Sequence, residues 1–266
     1  FATSAPELFV SIQALIEGSS SIALGSVIGS NIANIALVLA ITSLIFRVQI
    51  SKETISFYFP FLLFSSILFG VVLYFFNGIP YIVGCFFLTS LILFIFLLIK
   101  KSRKEYSELD EKNELSEETE NDSVYKSVFF LIIGCLFLKF GADNLVNGAI
   151  IIADYFQVSE RVIAVTIVSI GTSIPELAAS IIAAFRKQNN LAIGNLIGSN
   201  IFNILAVLGI SSMFQKIMIN DIAILHFDYI WMICVTFLVG LFIYFFGRRK
   251  ITRIEGLLLL LTYIIY

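Results

Sequence analysis

The stretch Gly171-Thr-Ser-Ile-Pro-Glu-Leu177 places a proline, a carboxylate and two hydroxyls in the middle of an otherwise apolar segment. Hydrocarbon accepts such groups only where protein, water or a bound species satisfies them. The stretch occurs a second time, as Ala2-Thr-Ser-Ala-Pro-Glu-Leu8. Each copy leads into a second polar insertion, Gly194-Asn-Leu-Ile-Gly-Ser-Asn-Ile-Phe-Asn203 and Gly25-Ser-Val-Ile-Gly-Ser-Asn-Ile-Ala-Asn34. The copies align without a gap: Thr3 falls on Thr172, Pro6 on Pro175, Glu7 on Glu176, Gly25 on Gly194, Ser30 on Ser199 and Asn34 on Asn203, always 169 positions apart (172 − 3). That spacing is far too long for a solenoid period and reads as two halves of one fold.

With 59% hydrophobic residues, 14% charged residues and a mean hydropathy of +0.97, the chain falls outside the range of soluble domains and inside that of multi-span membrane proteins. A soluble catalytic domain is thereby excluded. The formal charge is −2 and the basic residues sit in short clusters between apolar runs, so no nucleic-acid surface is indicated. Cys85, Cys135 and Cys234 each stand alone in an apolar run, without C-x-x-C spacing, and read as small apolar residues, not metal ligands or disulfide partners.

Apolar runs mark a partial span, Phe1–Ile16, followed by eight full or nearly full ones: Ile22–Phe46, Ile55–Phe76, Pro80–Ile99, Val128–Ala153, Val162–Phe185, Leu191–Phe214, Ala223–Phe246 and Ile254–Tyr266. The polar, acidic stretch from Tyr106 to Ser123 reads as a mobile linker. The division expected is a first repeat over residues 1–99, an acidic linker over 100–126 and a second repeat over 127–266. By the 169-residue spacing Phe1 corresponds to Ile170, inside an apolar segment that starts near Val162. The first repeat then lacks the front of one helix and the counterpart of Val128–Ala153, which points to a fragment or to a gene product without its N-terminal span.

Alternating the sides of the spans gives one face Arg47, Lys52, Lys100, Lys101, Arg103, Lys104, Lys112, Lys126, Arg186, Lys187, Arg248, Arg249, Lys250 and Arg253, and the other only Arg161 and Lys216. The richer face is expected to be cytoplasmic. An odd number of crossings separates the Glu7 helix from the Glu176 helix, so the two copies run in opposite directions. This is the inverted-topology duplication of secondary transporters, whose ion sites lie where the repeats meet.

A proline inside a helix removes one backbone N–H and crowds the carbonyl four residues earlier, so Pro175 opens the ladder near Gly171 and Thr172, and Pro6 near Ala2 and Thr3. Free carbonyls, the hydroxyl pairs Thr3/Ser4 and Thr172/Ser173, and the carboxylates are oxygen ligands of the kind hard cations select. Gly25, Gly29, Gly194 and Gly198 allow a neighbouring helix to approach closely, while Ser30/Asn34 and Ser199/Asn203 lie at i, i+4 and share a face. A site centred on Glu7 and Glu176 supplies two negative charges, enough for one divalent cation or for two or more Na⁺.

The two motifs, their order and duplication, together with Gly141-Ala-Asp-Asn-Leu-Val-Asn-Gly-Ala149 and Val158-Ser-Glu160, resemble the sodium/calcium exchanger family of cation/calcium antiporters, particularly its short prokaryotic members. The resemblance implies an all-α integral membrane fold, an inverted-topology repeat of five-helix units, ten helices in all with the first one to one-and-a-half missing here. It implies antiport of Ca²⁺ against Na⁺, with these ions as substrates, the lipid bilayer as surroundings, no cofactor and no enzymatic activity. By position, Glu7 and Glu176 look like the carboxylates shared by Ca²⁺ and Na⁺, and the carbonyls of Thr3 and Thr172 complete the Ca²⁺ site. Ser4, Ser30, Ser173 and Ser199 look like Na⁺ ligands, Asn34 and Asn203 flank the centre, and Ser169 stands where a small residue offers its carbonyl to Na⁺. The family often carries an acid at the position of Asn203, which bears on stoichiometry and proton coupling. The absence of a large insert between the repeats favours a prokaryotic inner membrane.

The rival readings are exchange of another cation pair (K⁺-dependent, H⁺-coupled or another divalent ion), a cation channel, and an inactive truncated product. Lys139 and Asp143, at i, i+4, read as an ion pair. His226 and Asp228, near a span end, read as part of a wetted interface.

Overall fold

The computed structural model describes residues 3–110, 124–186, 189–245 and 249–266, with side chains described except at 102–110, 124–131, 135 and 189–191. Most of the linker expected at 100–126 and the start at Phe1 therefore lie outside the described residues or side chains. Helices dominate. They are α1 (Ala5–Ile16), α2 (Ser20–Ile45), α3 (Thr54–Phe76), α4 (Tyr81–Asp110), α5 (Val124–Phe156) and α6 (Glu160–Phe185). Next comes α7, one rod of the segments Asn189–Phe202, Asn203–Val207 and Leu208–Phe214, then α8 (Ile224–Tyr244) and α9 (Arg253–Ile265).

Among the described residues seven helices are long and apolar enough to cross a membrane, and α1 is a shorter apolar helix. The expected last span, Ile254–Tyr266, is a helix of only 13 residues. Its start is fixed by a capping box, in which Thr252 accepts from the Glu255 amide and Glu255 accepts from the Thr252 amide, while the residues before it form a strand. A second correction concerns Tyr106: the helix α4 continues through it to Asp110, because the Lys- and Glu-rich segment consists of good helix formers that extend the rod.

Two ribbons pin the ends of the bundle. Strand β1 (Val48–Gln49) pairs antiparallel with β4 (Lys250–Ile251), and β2 (Gly78–Ile79) with β3 (Ile217–Met218). Helix α3 runs from β1 to β2, whereas α8 runs from β3 to β4, so these two helices, equivalent by the 169-residue spacing, are antiparallel and the ribbons lie at opposite ends. The β1–β4 ribbon gathers the basic loops around Arg47, Lys52 and Arg253 at one end, where Lys101 also pairs with Glu53 at 3.4 Å. The other ribbon is tight. At Gly78, φ is +145° and an added Cβ would meet the Ile217 carbonyl at 2.2 Å.

Burial sorts the helices by role. Every residue of Ser20–Ala33 in α2 is buried, and 72% of the best apolar window of α7 is buried, against 28% for α4. The polar insertions thus sit on the two most enclosed rods, whereas α4 buries one face through Phe87, Leu91 and Phe94 and turns Ile82, Phe86, Ile92 and Phe96 outward, as hydrocarbon surroundings require. At Gly25 an added Cβ would lie 2.8 Å from Ala164 Cβ, and at Gly29 2.8 Å from the Ser169 side chain and from Val165 Cα, so α2 and α6 touch through glycine. The equivalent expectation fails for Gly194 and Gly198, which have nothing within 4 Å of an added Cβ. No described helix covers them; they line a cavity of about 280 Å³ with Asn195, Ser199, Phe94 and Leu98.

Candidate cation site

Both proline motifs start a helix with the same backbone turn. Ser173, with φ −86° and ψ 0°, separates Ser169–Thr172 from Ile174–Phe185 within α6, and Ser4, with φ −92° and ψ 9°, precedes α1. Pro6 and Pro175 occupy the first turn of the new helix, where a missing N–H costs nothing. Glu7 and Glu176 follow in that same turn, at the positive end of the helix dipole. The second motif also has a local irregularity. A π-turn begins at Asn34 in α2 and at Asn203 in α7, and the wide turn offsets each amide from the regular stripe of its helix.

These breaks meet. Glu7 and Glu176 are both 0% exposed, and each lies within Coulombic range of side chains from the other half. Ser4 Oγ donates to Glu176 Oε1 at 3.1 Å, and Ser199 Oγ donates to the same oxygen at 3.3 Å. Thr3 Oγ1 lies 3.4 Å from Ser199 Oγ. The mirrored pair, Ser30 Oγ and Thr172 Oγ1, is 3.0 Å apart beside Glu7. By distance and angle both Glu7 oxygens are buried without a hydrogen-bond partner, as are Glu176 Oε2 and Ser173 Oγ.

Asn34 and Asn203, expected to flank the centre, are buried and bonded to two residues that the sequence motifs also hold, Asn200 and Asn31. Asn34 Nδ2 donates to Asn200 Oδ1 at 3.0 Å, and Asn203 Nδ2 donates to Asn31 Oδ1 at 3.1 Å. Asn200 Nδ2 in turn donates to the Asn31 carbonyl at 3.0 Å, and Asn31 Nδ2 to the Asn200 carbonyl at 3.4 Å. The signal was present in the sequence, since Asn31 and Asn200 are themselves a pair at the common spacing. Ser169 is bonded within its own helix: its hydroxyl donates back to the Val165 carbonyl at 2.6 Å, and its carbonyl accepts from Ser173 N–H at 3.1 Å and from Thr172 Oγ1 at 3.3 Å.

Buried oxygen without a donor is expensive, on the order of 1–3 kcal/mol for each neutral group and more for a charged one. A cluster of such oxygens around two carboxylates, assembled from opposite halves of a membrane bundle, is what a desolvated cation would complete. The residues fit a cation by chemistry and by enclosure.

Comparison with known proteins gives the family. The sequence profile described as "Sodium/calcium exchanger protein" matches residues 1–100 and 126–266. This chain belongs to the sodium/calcium exchanger family. Within the family it is 34% identical over 265 residues to the "Putative antiporter CaxA" of Alkalimonas amylolytica, covering 99% of this chain and 83% of that relative. It is 28% identical over 301 residues to the "Sodium/calcium exchanger MaX1" of Methanosarcina acetivorans, covering 99% and 84%. Among solved exchangers, it superposes on the sodium-calcium exchanger NCX_Mj, soaked with 100 mM Na⁺ and 10 mM Sr²⁺, with a TM-score of 0.70 and 29% identity, covering 99% of this chain and 81% of that one. As a member of this family the chain is a multi-pass, predominantly helical membrane antiporter.

Two expectations change at this level of detail. Among the described residues no ion pair joins Lys139 to Asp143; Lys139 is exposed, and Asp143 Oδ1 is buried without a hydrogen-bond partner. Asp228 is not at a wetted interface but 0% exposed, while His226 beside it is exposed. Arg161 Nη1 donates to Asp228 Oδ1 and Oδ2 at 2.7 and 2.8 Å, Arg161 Nε pairs with Asp221 at 3.1 Å, and Tyr266 Oη donates to Asp228 Oδ1 at 2.9 Å. Next to Arg161, Glu160 accepts from the Ser19 hydroxyl that caps α2. The mouth of α6 is thus tied to α2, α8 and the end of α9. Cys85 and Cys234 are free and exposed toward the outside of the bundle, and the Cys135 side chain lies outside the described ones.

Proposed function

We propose that this chain exchanges Ca²⁺ for Na⁺ by alternating access between two inverted repeats, over residues 1–99 and 127–266, joined by the segment 100–126 on the cytoplasmic side of a prokaryotic inner membrane. The observation that carries the reading is the enclosure of Glu7 and Glu176 in one polar cluster whose hydroxyls come from the opposite half: Ser4 reaches Glu176, and Thr172 lies beside Glu7. Ca²⁺ takes the two carboxylates with the carbonyls of Thr3 and Thr172, while Na⁺ ions take overlapping positions that add Ser4, Ser30, Ser173, Ser199 and the Ser169 carbonyl. Asn34 and Asn203 border the centre. The proteins themselves are the only agents; no cofactor or catalytic residue takes part.

The coupling follows from electrostatics. Two buried carboxylates without a counter-charge cost several kcal/mol per ion, on the order given by desolvation in a protein interior, so the bundle passes between its two facing states only when loaded. One divalent ion or several monovalent ions restore the balance, and because both loads use the same oxygens they exclude one another. Exchange, not co-transport, results. Orientation is supported by the gathering of the basic loops at the β1–β4 end.

The test is Ca²⁺ uptake into vesicles driven by an outward Na⁺ gradient, which is expected in the native chain and lost in Glu176→Gln. Uptake that ignores Na⁺ would favour a second reading, exchange of Ca²⁺ against another cation; the observation behind it is that position 203, where the family often carries an acid, holds a buried amide.

A further inference from the structure

Asn34 and Asn203 can serve a cation only through Oδ1, since their NH₂ groups carry positive charge at the hydrogens. An unrestrained carboxamide can turn either end toward a site, at little cost when both ends find partners. Here neither is unrestrained. The NH₂ of Asn34 is spent on Asn200 Oδ1, that of Asn203 is spent on Asn31 Oδ1, and the two remaining carbonyl oxygens, Asn34 Oδ1 and Asn203 Oδ1, are buried with no hydrogen-bond partner. Asn31 and Asn200 are in turn held by donating their own NH₂ groups to each other's main-chain carbonyls. All four side chains are 0–1% exposed, so water cannot substitute for a lost partner.

Resting on the cation site proposed above, we propose that Asn31 and Asn200 are positioning residues that fix the amide orientation of Asn203 and Asn34, so that oxygen and not NH₂ faces the cation. They touch no ion themselves: each Oδ1 accepts from a site asparagine, and each NH₂ is committed to a carbonyl. The four bonds form a closed unit across the contact between α2 and α7, and the 169-residue equivalence repeats it in both directions. Without the Asn31 acceptor, the Asn203 amide gains by turning its NH₂ to the carboxylates, which blocks the site with donors. A carboxylate at 203 removes this dependence, because both of its ends are oxygen. It also places oxygen against Asn31 Oδ1, so that losing Asn31 then relieves a repulsion.

The experiment is Ca²⁺ titration by calorimetry of the purified full chain in detergent, which needs no transport and no Na⁺ gradient. Asn31→Leu keeps the side-chain shape and removes the acceptor, and is expected to weaken Ca²⁺ binding about tenfold, the effect of losing one oriented polar ligand. In the Asn203→Asp background the same change is expected to alter affinity by less than about twofold, or to strengthen binding. Equal weakening in both backgrounds, or none in the native one, overturns the proposal. Should Asn31→Leu not fold, Asn200→Leu tested with and without Asn34→Asp probes the equivalent lock, with the same two outcomes. If the native chain binds Ca²⁺ but fails to move it against Na⁺, the exchange reading falls while the orientation lock is still measured; if it binds no Ca²⁺, both fall.

Discussion

Arg161 reaches across 67 positions of sequence to hold both oxygens of Asp228 with one guanidinium nitrogen, at 2.7 and 2.8 Å. Asp228 is fully buried, and Tyr266 closes its other side. A buried pair of this kind adds little net stability, but removing one partner strands the other, at a cost of about 3–5 kcal/mol. Arg161→Met is therefore expected to lower the midpoint of thermal unfolding in detergent by more than the double change Arg161→Met with Asp228→Leu. A double variant as damaged as the single one would show that the stranded charge is not the source.

Tyr266→Phe in the same cluster removes one hydrogen bond to a charged acceptor, for which about 1.5–3 kcal/mol is expected. The shift should be much reduced in the Asp228→Leu background, read by the same unfolding midpoint. Additive losses would mean that Tyr266 acts mainly through its ring, which stacks on Phe227 and Trp231 at 5.8 and 5.7 Å.

The two halves differ in how their glycines are used, and this asymmetry is testable. Gly29→Ala forces a methyl into Val165 Cα and the Ser169 side chain at 2.8 Å, and overpacking of that kind costs about 1–3 kcal/mol. Its equivalent Gly198→Ala meets nothing within 4 Å and should change stability by less than about 0.5 kcal/mol. Equal losses in unfolding midpoint would show that the face of α7 is covered as α2's is.

Ser4 and Ser199 donate to one oxygen of Glu176 from different helices. Ser4→Ala and Ser199→Ala are each expected to raise the apparent KM for Ca²⁺ several-fold, and the double variant to fall short of the product of the two effects, since the hydroxyls serve the same oxygen. Strict multiplication in vesicle uptake would place them at separate ions.

Much of this arrangement is legible in the sequence because it is written twice. Pro6 and Pro175 announce the breaks, and the spacing from Glu7 to Glu176 foretells that whatever one half supplies the other supplies too. The charged cluster at the mouth of α6 escaped because it has no periodic signal. Asp228 and Arg161 are single charges near span ends, and nothing local shows that the fold buries one on the other. Asn31 and Asn200 did repeat at the common spacing, but a pattern of shared helix faces selects i, i+4 neighbours, and both lie one residue after the serines, on the face turned to the opposite helix. The π-turns at Asn34 and Asn203 arise from packing and polar partners across the bundle, which local propensity does not encode.

The central claim, that Glu7 and Glu176 form one cage and not two, is tested most directly by counting Ca²⁺ bound per purified chain at equilibrium. One Ca²⁺ per chain is expected, displaced by Na⁺, with the site lost entirely in Glu7→Gln and again in Glu176→Gln. Two Ca²⁺ per chain, with each variant keeping one, would contradict it.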